Sequence, residues 1–101
     1  MHQDITIVYV IYKSGDILFK NVLKLRNFHK IIIDNDPKSI LEKKLRSIDS
    51  SINYIKMNKN IGMAKAANIA FKKVKTNFFL YLTADTIINE NSIENLFKIF
   101  K

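Results

Sequence analysis

The segment Leu80-Tyr81-Leu82-Thr83-Ala84-Asp85-Thr86 places a lone carboxylate directly after an apolar run. A second acidic group, Asp34-Asn35-Asp36, follows Ile31-Ile32-Ile33, and a third apolar run, Ile5 to Tyr12, leads into Lys13-Ser14-Gly15. If each run is a strand of a buried open α/β sheet, the polar groups gather at the carboxyl edge, where such sheets bind ligands. Oxygen ligands and hydrogen-bond acceptors at such an edge point to a nucleotide or phosphate ligand. Asp34 and Asp85 are then expected at the same edge, with their carboxylates facing a common crevice.

Each of these residues has a plainer alternative. Asp85 could hold Mg²⁺ or Mn²⁺, ions that bind few carboxylates and take other ligands from substrate phosphates and water, or it could simply cap a turn. Asp34 could accept a hydrogen bond from a base N–H, or cap the turn leading to Pro37. Tyr12 could stack on a base, or be the last core residue of its strand. Asn60 and Asn68 could be an ordinary helix cap and a helix-surface amide. Other chemistry finds little support. The two glycines, Gly15 and Gly62, make neither a dinucleotide fingerprint nor a P-loop. There is no cysteine, and His2 and His29 have no metal-ligand spacing around them. The third strand closes on Lys56-Met57-Asn58, whereas a phosphoacceptor receiver domain needs an aspartate there.

The elements that must position these groups alternate four times. Strands are expected at Ile5–Tyr12, Lys30–Asp34, Ile52–Met57 and Asn77–Thr83, all rich in β-branched and aromatic residues. Helices are expected at 16–27, capped by Ser14, then from Pro37 with Ile40, Leu41, Leu45 and Ile48 as the buried stripe. Two more follow at 61–74 and 91–100. The order β-α-β-α-β-α-β-α predicts an open parallel sheet with helices on both faces, in strand order 3-2-1-4, with the ligand crevice between strands one and four. Tyr12–Gly15 and Thr83–Thr86 would line it.

Composition sets the outer limits. A chain of 101 residues with 48% hydrophobic content reads as one globular domain. No run approaches the ~20 apolar residues of a membrane span, and the start lacks the pattern of a signal peptide. Seventeen basic against nine acidic residues give a net charge of +8. The lysines are spread over several predicted helices, which favours a solvated exterior over a nucleic-acid surface. No aromatic-basic interleaving on exposed strands supports RNA binding.

In combination, these pieces resemble the donor-binding half of a family 2 glycosyltransferase, with its Rossmann-like nucleotide-diphospho-sugar transferase (GT-A) fold. Ile7 to Lys13 resembles the opening strand that usually ends Thr-Tyr-Asn. Ile31 to Asp36 resembles the second strand with its base-contacting Asp-Asn. Asn58 to Gly62 and Ala66-Ala67-Asn68 resemble the Asn-X-Gly turn and the helix after it, and Phe79 to Ile88 resembles the strand entering the Asp-X-Asp region. The segment at Thr83 to Thr86 resembles that of rhamnosyltransferase-like members. The resemblance implies that Asp34 contacts the nucleobase and Tyr12 lines its pocket. Asn60 would shape the donor pocket, Thr83 and Ala84 would flank ribose and diphosphate, Lys65 would lie near phosphate, and Asp85 would bridge a Mg²⁺ or Mn²⁺ ion. Departures are Lys13 for the common asparagine, Ala67 for a common arginine, Lys65 and Ala66 at positions often glycine, and Thr83 for the first carboxylate of Asp-X-Asp.

The family's acceptor half and catalytic base lie beyond the Asp-X-Asp region, so no residue here is assigned as catalytic. The expectation is a single nucleotide-sugar-binding domain over 1–101, a fragment of a longer inverting glycosyltransferase or a stand-alone remnant. It would act in polysaccharide biosynthesis in the cytoplasm, at the inner face of the membrane through peripheral association. Its partners would be a nucleotide-diphospho-sugar and a glycan or lipid-linked acceptor, with no nucleic acid. Ile93, Phe97 and Phe100 of the last helix would need a covering surface, which predicts a homodimer. The rival readings are a non-catalytic module that binds a nucleotide or a partner protein, and a small basic module for nucleic acid or an anionic membrane surface.

Overall fold

The computed structural model describes residues 2–88 and 90–100, and the side chains of all of these except 2, 3, 97, 99 and 100. Eight elements alternate in chain order: β1 (His2–Ile11), α1 (Asp16–Lys24), β2 (Phe28–Asp34), α2 (Leu41–Ile48), β3 (Asn53–Lys56), α3 (Met63–Lys73), β4 (Phe78–Leu82) and α4 (Glu90–Phe100). All three strand pairings are parallel and the order is β3-β2-β1-β4, as the sequence predicts. The order reverses direction at β1, so β1 and β4 flank a topological switch point.

Side-chain alternation along the strands divides the core in two. Ile5, Ile7, Tyr9 and Ile11 of β1 and Phe28 and Ile32 of β2 pack with Leu18 and Val22 of α1, Leu45 of α2 and Ile93 of α4. The intervening residues Val8, Val10, Ile31 and Ile33 pack against Ala66, Ala67 and Ala70 of α3. Three alanines on one helical stripe let α3 lie close to the sheet. Ala67 is therefore a packing residue.

Several local expectations are corrected. Ser14 does not cap α1: Gly15 holds the cap position and no side chain closes it. Pro37 lies in a turn, and α2 starts only at Leu41. Asp36 accepts the Lys38 N–H at 2.9 Å and Ser39 accepts the Leu41 N–H at 3.2 Å, and these bonds postpone the helix. Ile40 thereby falls outside the buried stripe and is 89% exposed. Strand β4 forms one edge of the sheet, where the expected order places it, and Phe78, Phe79 and Tyr81 are exposed. Phe71 of α3 shields it in part, its ring centroid 4.5 Å from that of Phe79. Ile93, expected to need an outside cover, is 2% exposed within the α1–α4 core. Phe97 and Phe100, the other two residues of that expectation, lie outside the described side chains.

One buried ion pair fastens the end remote from the site. The Lys30 ammonium, fully enclosed, donates to the carbonyls of Leu25 at 2.6 Å and Phe28 at 2.7 Å, and pairs with Asp49 at 2.6 Å. Burial lowers the Lys30 pKa, and Asp49 works against that shift. Burial alone would raise Asp49, but Lys30 and the Ser51 hydrogen bonds hold its carboxyl below the ordinary value of 3.8.

Asp49→Asn leaves the Lys30 charge buried without its counterion and should destabilise the fold by about 3 kcal/mol in denaturant melts. Because the Asp49 pKa is lower in the folded chain, its contribution is complete above pH 3.8 and is lost as pH falls through the lowered value. The acid limb of wild-type stability should be steeper than that of Asp49→Asn. Separately, Lys13 sits at φ 55°, a left-handed conformation that asparagine tolerates better than lysine. Lys13→Asn should therefore stabilise the chain by about 0.5–1 kcal/mol, as read by the shift in urea midpoint.

Candidate functional site

The strand ends leave the sheet at different levels, and this opens a cleft. Ile11 pairs with Asp34, but β4 stops at Leu82 opposite Tyr9, two residues short of the end of β1. The chain then turns at once: Thr86 N–H bonds the Thr83 carbonyl at 3.2 Å, and the Thr83 and Thr86 hydroxyls bond each other. Between this turn and the β1–α1 connection lies a cleft of about 470 Å³. Tyr12, Lys13, Ser14 and Gly15 line one side, and Thr83, Ala84 and Asp85 line the other. The expected crevice is therefore present, between the expected strands.

Within it the groups suit a phosphorylated, ring-bearing ligand. Tyr12 is 47% exposed and lines the cleft, so it is not the last core residue of β1, and its ring face is available for stacking. The Lys13 ammonium lies 5.2 Å from the centroid of that ring. Asp85 is exposed on the opposite wall. Asp16, in the first turn of α1, and Met63, at the start of α3, also line the cleft. Neither was singled out from the sequence. Asp16 carried a signal, since an acidic residue opening a helix after a strand end sits at the carboxyl edge.

Asp34 is at the same edge as Asp85 but not in the same cavity, which corrects the expected common crevice. It is 0% exposed. Its Oδ1 accepts the Asp36 N–H at 3.0 Å and its Oδ2 accepts the Tyr54 hydroxyl. Burial, and next the adjacent Asp34 carboxylate, push the Tyr54 phenol well above its ordinary pKa. Asp34 thus fastens β3 to β2 and shapes the turn after β2. A smaller cavity of about 210 Å³, lined by Asp36, Lys38 and Ser39, shares Lys13 and Ser14 with the main cleft.

Asn60 and Lys65 also stand outside the cleft lining. Asn60 Oδ1 accepts the Gly62 N–H at 2.9 Å. It closes the turn before α3, where Gly62 adopts φ 84°, a conformation that L side chains rarely take. Asn35 ties this turn to β2: its side-chain amide donates to the Gly62 carbonyl at 3.2 Å and accepts the Ile61 N–H at 3.4 Å. Lys65 is exposed on α3.

For a metal ion the donor set is sparse. Among the described residues no three His, Asp or Glu side chains come together. Asp85 and Asp16 on the walls of one open cleft fit an ion that draws its remaining ligands from phosphate and water, not one that the protein encloses by itself.

A third cavity, of about 520 Å³, lies toward the amino ends of the strands, lined by Thr6, His29, Asn53, Lys73, Lys75 and Thr76 among others. It is larger but contains none of the predicted site residues. Lys73 ends α3, where a cation complements the helix dipole. No helix among the described residues is long and apolar enough to cross a membrane.

Comparison with known proteins gives this geometry a context. Over 66 residues the chain is 30% identical to the teichoic acid poly(glycerol phosphate) polymerase of Staphylococcus epidermidis, a match covering 61% of this chain and 9% of that protein. The crystal structure of S. aureus TarS superimposes with a TM-score of 0.75 at 18% identity, over 96% of this chain and 19% of TarS. TarS 1-349 in complex with UDP gives a TM-score of 0.69 at 18% identity, over 96% of this chain and 32% of that one. These structures share the fold, and the chain spans less than a third of their length. The model of glycosyl transferase family 2 matches residues 7–101, and the chain belongs to that family.

Proposed function

We propose that this chain binds the nucleotide-diphospho-sugar donor of a glycosyltransferase and stabilises the departing diphosphate. The observation that carries the proposal is the cleft at the β1–β4 switch point, where Tyr12, Lys13, Thr83, Ala84 and Asp85 converge. Support comes from the family and from the shared fold of a structure described as a complex with UDP.

In this reading the base stacks on Tyr12 and extends toward the smaller cavity beside Asp36 and Ser39. Asp34, enclosed beneath, holds the Asp36 turn that walls that cavity. A direct contact between the base and Asp34 would need its remaining lone pairs. Asn60 shapes the site through the Gly62 turn. Ribose and diphosphate lie along Thr83 and Ala84, with Lys13 supplying positive charge and Lys65 at the outer rim. Asp85, with Asp16 opposite, would hold Mg²⁺ or Mn²⁺ against the diphosphate. When bound, such an ion supplies charge that neutralises the leaving group. The acceptor would be a glycan or lipid-linked polymer. An anionic polymer is favoured by the similarity to a teichoic acid poly(glycerol phosphate) polymerase. Action in the cytoplasm, peripheral to the membrane, is part of the same proposal.

Calorimetry with UDP, in EDTA and in Mn²⁺, tests this reading. Wild type should bind UDP more tightly with Mn²⁺, and Asp85→Asn should lose most of that gain, about tenfold or ~1.4 kcal/mol, without losing its cooperative melt. No effect of the ion on wild type would reject the role of Asp85. Tyr12→Ala should weaken binding about five- to tenfold with or without the ion, as loss of a stacking ring does. A UDP-release assay with UDP-sugar and added acceptor should show no turnover by the 101 residues alone, because no group here is assigned as the base. Metal-dependent turnover would refute that expectation.

A further inference from the structure

Asn21 sits midway along α1 and is 1% exposed, an unusual place for an amide. Its Nδ2 donates to the backbone carbonyl of Thr86 at 2.5 Å. The Tyr9 hydroxyl, on the central strand, is buried beside the same amide. Helix α1 therefore reaches across to the segment that follows β4.

That segment, 83–88, carries Asp85 and has no regular secondary structure. Local contacts shape it: the Thr83–Thr86 turn bond and the paired hydroxyls. Ala84 and Ile88 rest on the core, but apolar contact sets no direction. The Asn21 bond is directional and joins the turn to a rigid element. A leucine would fill the same space without the cost of burying an amide, so the polar group has its use in geometry and not in packing.

We propose that Asn21 is a positioning residue for Asp85. By holding the Thr86 carbonyl it fixes where the turn presents the carboxylate to the cleft. Asn21 does not line the cleft. The inference rests on the reading of Asp85 as the group that faces the diphosphate and its ion.

The test is Asn21→Leu, which keeps the bulk and removes the donor. Two readouts are compared with wild type: amide hydrogen exchange across the chain, and UDP affinity in EDTA and in Mn²⁺. Exchange in 83–88 should rise about three- to tenfold, the range of one lost hydrogen bond, while β1 amides stay unchanged. The Mn²⁺ gain in UDP affinity should fall by a similar factor, with affinity in EDTA preserved. Adding Asp85→Asn to Asn21→Leu should give no further loss of that gain beyond Asp85→Asn alone. Unchanged exchange in 83–88, or an undiminished Mn²⁺ gain, would overturn the proposal.

If Asn21→Leu does not fold, Asn21→Asp decides. Ionised, it offers no donor and should show the same two losses; protonated at low pH, it regains a donor, and exchange in 83–88 should slow relative to the β1 amides. If neither variant folds, Asn21 is a core residue first and the proposal fails. If wild type itself shows no Mn²⁺ gain, the assignment of Asp85 fails, and the exchange data alone decide whether Asn21 holds the turn.

Discussion

The enclosure of β1 is the constraint on which the rest of the structure depends. Ile7, Val8, Tyr9, Val10 and Ile11 are all buried, with helices over both faces and a strand at each edge. A strand so enclosed must be apolar at every position, and the sequence from Ile5 to Ile11 departs from this only at Thr6. Thr6 is buried and bonds the Thr76 hydroxyl at 2.7 Å. Because β1 is central and parallel to both neighbours, the strands exit at one edge. Because β4 stops two residues short of β1, the following turn hangs beside the β1–α1 connection and leaves a cleft. The site is a consequence of register as much as of residue type.

A second consequence concerns the polar groups at that edge. Those behind the cleft are committed to one another: Asp34 to Tyr54 and Asp36, Asn35 to the Gly62 turn, Asn21 to Thr86. Those in the cleft, Tyr12, Lys13 and Asp85, are exposed. Enclosed polar groups must be satisfied within the protein, so they serve as the frame, and the exposed set faces the open cleft. Directional bonds in the frame and open groups in front are what a site with fixed geometry requires.

Much of this was legible because it is local. Uninterrupted apolar runs gave the strands, the β-α alternation gave the parallel order, and a polar residue after each run marked the edge at which the cleft opens. Tyr12, Thr83, Ala84 and Asp85 were legible because each is adjacent to a strand end. What was not legible depends on distant partners. Asp34 looks as open as Asp85 in the sequence, and only Tyr54, twenty residues on, encloses it. Asn21 looks like a helix-surface amide until the turn after β4 lies against it. The late start of α2 has a different cause: Asp36 and Ser39 side chains compete locally with helix formation after Pro37, a competition that apolar periodicity does not register.

The central claim is that the ligand edge is the carboxyl edge at the β1–β4 switch, and not the larger cavity at the opposite end. Chemical-shift mapping of a ¹⁵N-labelled chain titrated with UDP and Mg²⁺ tests it most directly. Shifts are expected at Lys13 to Asp16 and at Thr83 to Thr86, with His29, Lys73, Lys75 and Thr76 unmoved. Shifts centred on that second group, with the cleft silent, would contradict it.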